Sequence, residues 1–141
     1  MDVLLIEKDA LVRDQLKVGL QQFPGIKVTV GSGYRGINEL RSRTFDCVFL
    51  GVEPLDQESM GMLQHLRSFD QATELVALVA GREPKAMSNE KQRFEIHSLL
   101  RTPIDCKELF SFLGRFIERH SGRDDANRRP SSAPRSTART K

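Results

Sequence analysis

Gly31-Ser32-Gly33-Tyr34-Arg35-Gly36 spells G-x-G-x-x-G. Such a turn lets a backbone approach a phosphate at a helix start, and Glu53 lies about twenty residues on, where a ribose-binding acid would stand. The pattern would suit a nucleotide or small-molecule sensor built on Gly31–Gly36. Three features weigh against it. It follows the second apolar run, Leu40 stands where close helix–sheet packing favours a small residue, and the chain lacks strands for the second half of a dinucleotide fold. A glycine-rich strand-to-helix turn explains the same residues. His65, His97 and His120 lack metal-ligand spacing. No Ser/His/Asp signature is present. Cys47 begins an apolar run and reads as core, whereas Cys106 falls in the first turn of the last predicted helix, where a thiolate is stabilised. Two cysteines support neither a disulfide framework nor a Cys-based zinc site. No catalytic residue, cofactor or metal site is assigned from these groups.

The elements that must position any site alternate in type. Apolar runs at 3–6, 26–30, 47–50, 75–80 and 96–100 read as strands. Between them, Leu11, Val12, Leu16 and Leu20 form a helical stripe that Asp9 caps. Residues 34–43, a segment with Met62, Leu63 and Leu66 on one face, residues 84–93, and Pro103 to His120 also read as helices. Leu109, Phe110, Leu113, Phe116 and Ile117 give the last its apolar spacing. Continuous apolar strands mean that both sheet faces are covered. The predicted fold is therefore α/β: a (βα)5 doubly wound, five-stranded parallel sheet of the flavodoxin-like kind. Such folds place sites at the carboxyl ends of their strands. Those ends are Glu7-Lys8-Asp9, Gly31-Ser32-Gly33, Gly51-Val52-Glu53, Ala80-Gly81-Arg82 and Arg101-Thr102-Pro103.

The acidic cluster after the first strand, the Phe45-Asp46 lead into the third, and Thr102-Pro103-Ile104-Asp105 before the last helix carry a resemblance. Over residues 2–120 the chain resembles the receiver domain of bacterial two-component response regulators. The resemblance implies a phospho-acceptor aspartate at the end of the third strand, but Gly51 occupies that position. It implies two adjacent metal-binding acids after the first strand, but here the pair is Glu7 and Lys8. Magnesium takes hard oxygen ligands. Lys8 puts a positive charge where the ion would sit, and like charges 4 Å apart cost about 4 kcal/mol at an effective dielectric of 20. Lys8 is thus expected to replace the ion. Ala80 stands for the family's Ser/Thr, Thr102 for its phosphate-contacting lysine and Leu99 for its switch aromatic. Pro54 arrives one residue early, and Glu53 is the nearest substitute acid. By resemblance the bond before Pro103 is cis. From the residues themselves, Thr102-Pro103 reads as an N-cap followed by a proline at the first helical position. The vestigial pocket is Glu7, Lys8, Asp9, Gly51, Glu53, Ala80, Thr102 and Pro103. The interaction face is Leu99, Arg101 and Phe112, with Phe112 off the inward stripe of the last helix.

Charge sets the domain organisation. Residues 1–120 carry 16 Lys/Arg against 17 Asp/Glu, and residues 121–141 carry six against two. The net charge of +3 therefore belongs to the tail. The tail's only apolar residues are alanines, so residues 121–141 are expected to be a disordered basic tail or linker after a receiver-like domain at 1–120. Nucleic acid is not an expected partner except through that tail. No apolar run approaches the roughly 20 residues of a membrane span, and Met1-Asp2-Val3 does not start like a signal peptide, which points to the cytoplasm. The reading is a pseudo-receiver: a non-enzymatic signalling or scaffold module. It would work by phosphorylation-independent contact with protein partners, including a homodimer through the last helix. The alternatives are the sensor above and a receiver phosphorylated at an atypical residue.

Overall fold

Strands β1 (Asp2–Ile6), β2 (Lys27–Gly31), β3 (Cys47–Gly51), β4 (Glu74–Ala80) and β5 (Ser98–Thr102) form one parallel sheet in the order β2-β1-β3-β4-β5. Helices α1 (Ala10–Gln21), α2 (Gly33–Ser42), α3 (Gln57–Phe69), α4 (Ser88–Arg93) and α5 (Cys106–Ser132) alternate with them. This computed structural model describes residues 1–53, 56–80 and 87–132. Pro54, Gly81, Arg82 and residues 84–86 of the predicted fourth helix lie outside the described residues. The chain divides into two units, Met1–Cys106 and Lys107–Lys141.

In the first unit the period-2 alternation of each strand sorts its side chains between two faces. Leu4, Ile6, Val48, Leu50, Ala77 and Val79 enter one buried cluster with Ile37 of α2 and Met62, Leu63 and Leu66 of α3. Val3, Leu5, Cys47, Phe49, Val76 and Leu78 are buried outside that cluster, as are Val12, Leu16 and Leu20 of α1. The central strands β1, β3 and β4 are apolar because both their faces are covered. The edge strands β2 and β5 are only partly buried. Asp9 caps α1 by accepting from the amides of Leu11 and Val12, at 3.0 and 3.2 Å. The doubly wound parallel sheet is as the sequence predicts.

Several boundaries differ. β5 starts at Ser98 rather than residue 96. Ile96 is buried, but it belongs to a turn in which Glu95 has a φ of 53°. Arg67 holds that turn: its guanidinium donates to the carbonyls of Phe94 and Glu95 at 2.8 and 2.9 Å, and to those of Asp70 and Thr73 at 3.1 Å each. Thr102 is not an N-cap. It pairs with Ala80 as the last residue of β5, the bond to Pro103 is cis, and α5 begins at Cys106.

In the second unit, α5 continues to Ser132, so residues 121–132 are helical where a tail was expected. Residues 133–141 of the expected tail lie outside the described residues. The stripe of α5 is also corrected. Leu109, Phe112, Leu113 and Phe116 are the buried set, spaced by three and four, and the Phe112 and Phe116 rings stack at 6.0 Å. Phe112 is 4% exposed and is not a surface anchor; the exposed aromatic is Phe110, at 43%. Phe110 does not belong to the inward stripe that its spacing predicts. Residues 109, 112, 113 and 116 lie together on a helix, and 110 stands about 100° away from 109.

Candidate functional site at the carboxyl edge of the sheet

The register gathers the predicted strand ends. Ile6 pairs with Gly31 and Leu50, Gly51 with Leu78, and Ala80 with Thr102. Above them opens a cavity of about 710 Å³ whose lining includes Glu7, Lys8, Asp9, Gly51, Glu53, Ala80 and Thr102. Gly31, Ser32 and Gly33 join the same wall. Pro103 is not part of that lining, and neither are Leu99, half-buried against the core, and Arg101, exposed on edge strand β5.

Glu7 dominates the floor. A Cβ built on Gly51 would lie 2.6 Å from the Glu7 carboxyl carbon and 2.8 Å from its Oε2. The side of Gly51 on which any side chain would grow is therefore taken by that carboxyl group. The amide of Asp9 donates to Glu7 Oε2 at 3.0 Å and holds it there. Lys8 does not take an ion's place. Its Nζ lies 3.4 Å from Glu58 Oε1 on α3, and its side chain is 72% exposed. The hydrogen bond and charge of Glu58, then the charge of Glu53, hold its pKa above the ordinary lysine value. The physical reason is reach: a lysine stem lets the ammonium find a hydrated carboxylate at the rim rather than enter the cavity.

The loop after β3 is set by a residue that the sequence reading missed. Ser59, almost fully buried, accepts from the amide of Glu53 at 2.9 Å, while its own amide donates to the capping Asp56 at 3.0 Å. The signal was present, since Asp56 three residues before Ser59 is an N-cap spacing. Arg13 was missed too. It lines the cavity from α1, with its Nε 3.7 Å from Asp14.

The glycine turn has local reasons for its composition. A Cβ on Gly31 would come within 2.7 Å of the Gly36 Cα, and one on Gly36 within 3.0 Å of Gly31. The start of α2 thus crosses the end of β2 backbone to backbone. Gly33 has a φ of 51°, a left-handed conformation that glycine adopts without steric cost. These contacts account for all three glycines without a phosphate.

This arrangement is the flavodoxin-like fold of response-regulator receiver domains. The REC domain of AraT, a response regulator from Geobacillus stearothermophilus, superposes with a TM-score of 0.72 at 14% identity, over 87% of this chain and 97% of that one. A CheY-like receiver domain protein from Methanospirillum hungatei JF-1 gives 0.70 at 13% identity, over 86% and 97%. A structure described as an adenylate cyclase from Rhodopirellula baltica gives 0.70 at 14% identity, over 94% and 98%. No protein-family model matches the sequence, and no curated protein matches it. Among the described residues no helix is long and apolar enough to cross a membrane.

The magnesium implied by the receiver resemblance does not fit these residues. Gly51 offers no side-chain oxygen, and where the resemblance implies two adjacent acids Glu7 is followed by Lys8. Among the described residues, no three His, Cys, Asp or Glu side chains are grouped to hold a metal ion.

Proposed function

We propose that the chain is a pseudo-receiver, a signalling or scaffold module that works by phosphorylation-independent contact with proteins and catalyses no reaction. One observation carries this reading. Gly51 stands where the receiver resemblance puts the acceptor, and the space a side chain there would need is taken by the Glu7 carboxyl group. A phosphoryl group needs a nucleophile there and cations around it. The near cations, Lys8 and Arg13, face Glu58 and Asp14. Glu53 is a poor substitute acceptor, because it stands two residues beyond the strand end, exposed on a loop whose amide is tied to Ser59.

In this reading the partner contacts are carried by Leu99 and exposed Arg101 on edge strand β5 and, separately, on α5 by the exposed Phe110 in place of the buried Phe112. A homodimer through α5 and action in the cytoplasm belong to the same proposal. The sensor alternative gains nothing from the glycine turn, whose composition the α2–β2 contact explains.

The test is an amide NMR spectrum of the full chain, titrated with magnesium and then acetyl phosphate. Unmoved resonances at Glu7, Gly51 and Thr102 are expected. Saturable, magnesium-dependent shifts at those residues would overturn the reading.

A further inference from the structure

We infer that the cavity over Gly51 is a binding site for a small organic cation, a primary ammonium carried on an apolar body. The walls supply the apolar half: Val12, Met62 and Leu78 line the cavity, with half-exposed Val30 at its mouth. The floor supplies the charge. Glu7 is held by the Asp9 amide, and among the described residues the ion pairs Lys8–Glu58, Arg13–Asp14 and Arg43–Asp2 leave it out. Among the described residues, the cationic side chains that line the cavity, Lys8 and Arg13, lie beside other carboxylates, Glu58 and Asp14. A ligand entering over Gly51 therefore meets an uncompensated carboxylate first.

An anion is disfavoured on two counts. Glu7 repels it, and the first α1 amides that would receive it, those of Leu11 and Val12, already donate to Asp9. The missing side chains matter as well. Gly51 and Ala80 bring no polar side-chain atom to the floor, and the space beside Gly51 is filled by the Glu7 carboxyl group, so that carboxylate is the charge a ligand over Gly51 meets. A charge-assisted hydrogen bond from an ammonium to a carboxylate is stronger than a neutral one and orients the ligand. This inference does not depend on the signalling reading, because it concerns a cation and no phosphate.

The test titrates the full chain with three probes of matched shape: phenethylamine, 2-phenylethanol and 3-phenylpropionate. Amide NMR at neutral pH reads the binding. Saturable shifts at Glu7, Lys8, Gly51 and Ala80 are expected with the amine, and binding at least about tenfold weaker with the alcohol and the acid. Glu7→Gln should weaken the amine about tenfold as well, with the melting temperature and the rest of the spectrum checked in parallel. The amine-to-alcohol ratio in the unmodified protein decides the matter if that variant fails to fold. Equal binding of amine and alcohol would overturn the inference. So would strongest binding of the acid at Gly33 to Arg35, or no saturation by phenethylamine up to about 20 mM. Saturable amine binding together with a magnesium-dependent acetyl phosphate response would overturn the signalling reading alone, and absence of both would overturn this inference alone.

Discussion

Residue by residue, the site is decided by which side chain takes the space beside Gly51. A methyl group there must displace the Glu7 carboxyl, so Gly51→Ala should cost about 1–3 kcal/mol, as overpacking does. The same substitution in a Glu7→Ala background should cost much less. Urea unfolding of the four proteins in that cycle measures the coupling, and additive costs would mean that Glu7 does not hold the space. Asp70 gives a prediction in pH. Burial works to raise its pKa, but hydrogen bonds from the Thr73 hydroxyl and from the Thr73 and Ala72 amides, together with the Arg67 charge, hold it below the ordinary carboxylate value. A depressed folded pKa means stability that is present above the unfolded pKa and lost as pH falls through the folded one. Asp70→Asn should therefore destabilise the protein at neutral pH, by less than about 1 kcal/mol because solvent screens a carboxylate this exposed, and the gap should close as the pH falls below about 4. A gap that persists at low pH would refute the assignment. That a glycine without a side chain stands at the end of β3 was legible in sequence, because it follows from counting along the strand. The direction of Lys8 was not, since its partner Glu58 is fifty residues away and only the fold brings them together.

Among the elements, the sequence carried strand number, order of types and buried runs, because continuous apolar segments have one stable use in a parallel sheet. It did not carry the start of β5. Phe94 and Ile96 are as apolar as strand residues, but the Arg67 guanidinium and the left-handed Glu95 bend them into a turn. Arg67→Ala should lower stability by about 2–3 kcal/mol, because it orphans carbonyls in two turns. Hydrogen exchange should rise first at Phe94 to His97; uniform loss of protection would argue against a local clamp. The glycines separate in the same way. Gly31→Ala sets a Cβ against the Gly36 backbone and should cost about 1–3 kcal/mol. Gly114→Ala on α5 meets nothing within 4 Å and should stabilise by about 0.5–1 kcal/mol, the helix-propensity gain. Thermal melts of the two variants should move in opposite directions. The glycine motif that first suggested a nucleotide was legible as a turn, but its packing cause was not, because it depends on how closely α2 crosses β2.

At the scale of the whole molecule, charge and shape belong to different parts of the chain. The (βα)5 body is close to neutral, and the excess of basic residues lies beyond residue 120. Helix α5 runs twelve residues into that basic segment, so part of the charge is carried on helical backbone. Composition alone gave the charge boundary but not the helix end, because low hydrophobicity argues against a packed core and says little about a helix that extends one already formed. If the segment is an electrostatic arm, its effect is separable from the fold. A chain cut after residue 120 should unfold within about 0.5 kcal/mol of the full chain. The full chain should bind duplex DNA weakly, with affinity falling with salt by about 0.9 log units per log unit for each phosphate neutralised, a slope of about −3.6 for about four contacts. The shortened chain should show no such binding. Equal binding by the two chains would place the polyanion surface on the body instead, where Arg41 and Arg43 of the α2 end, stacked on Phe69 and Phe45, would be the residues to substitute next.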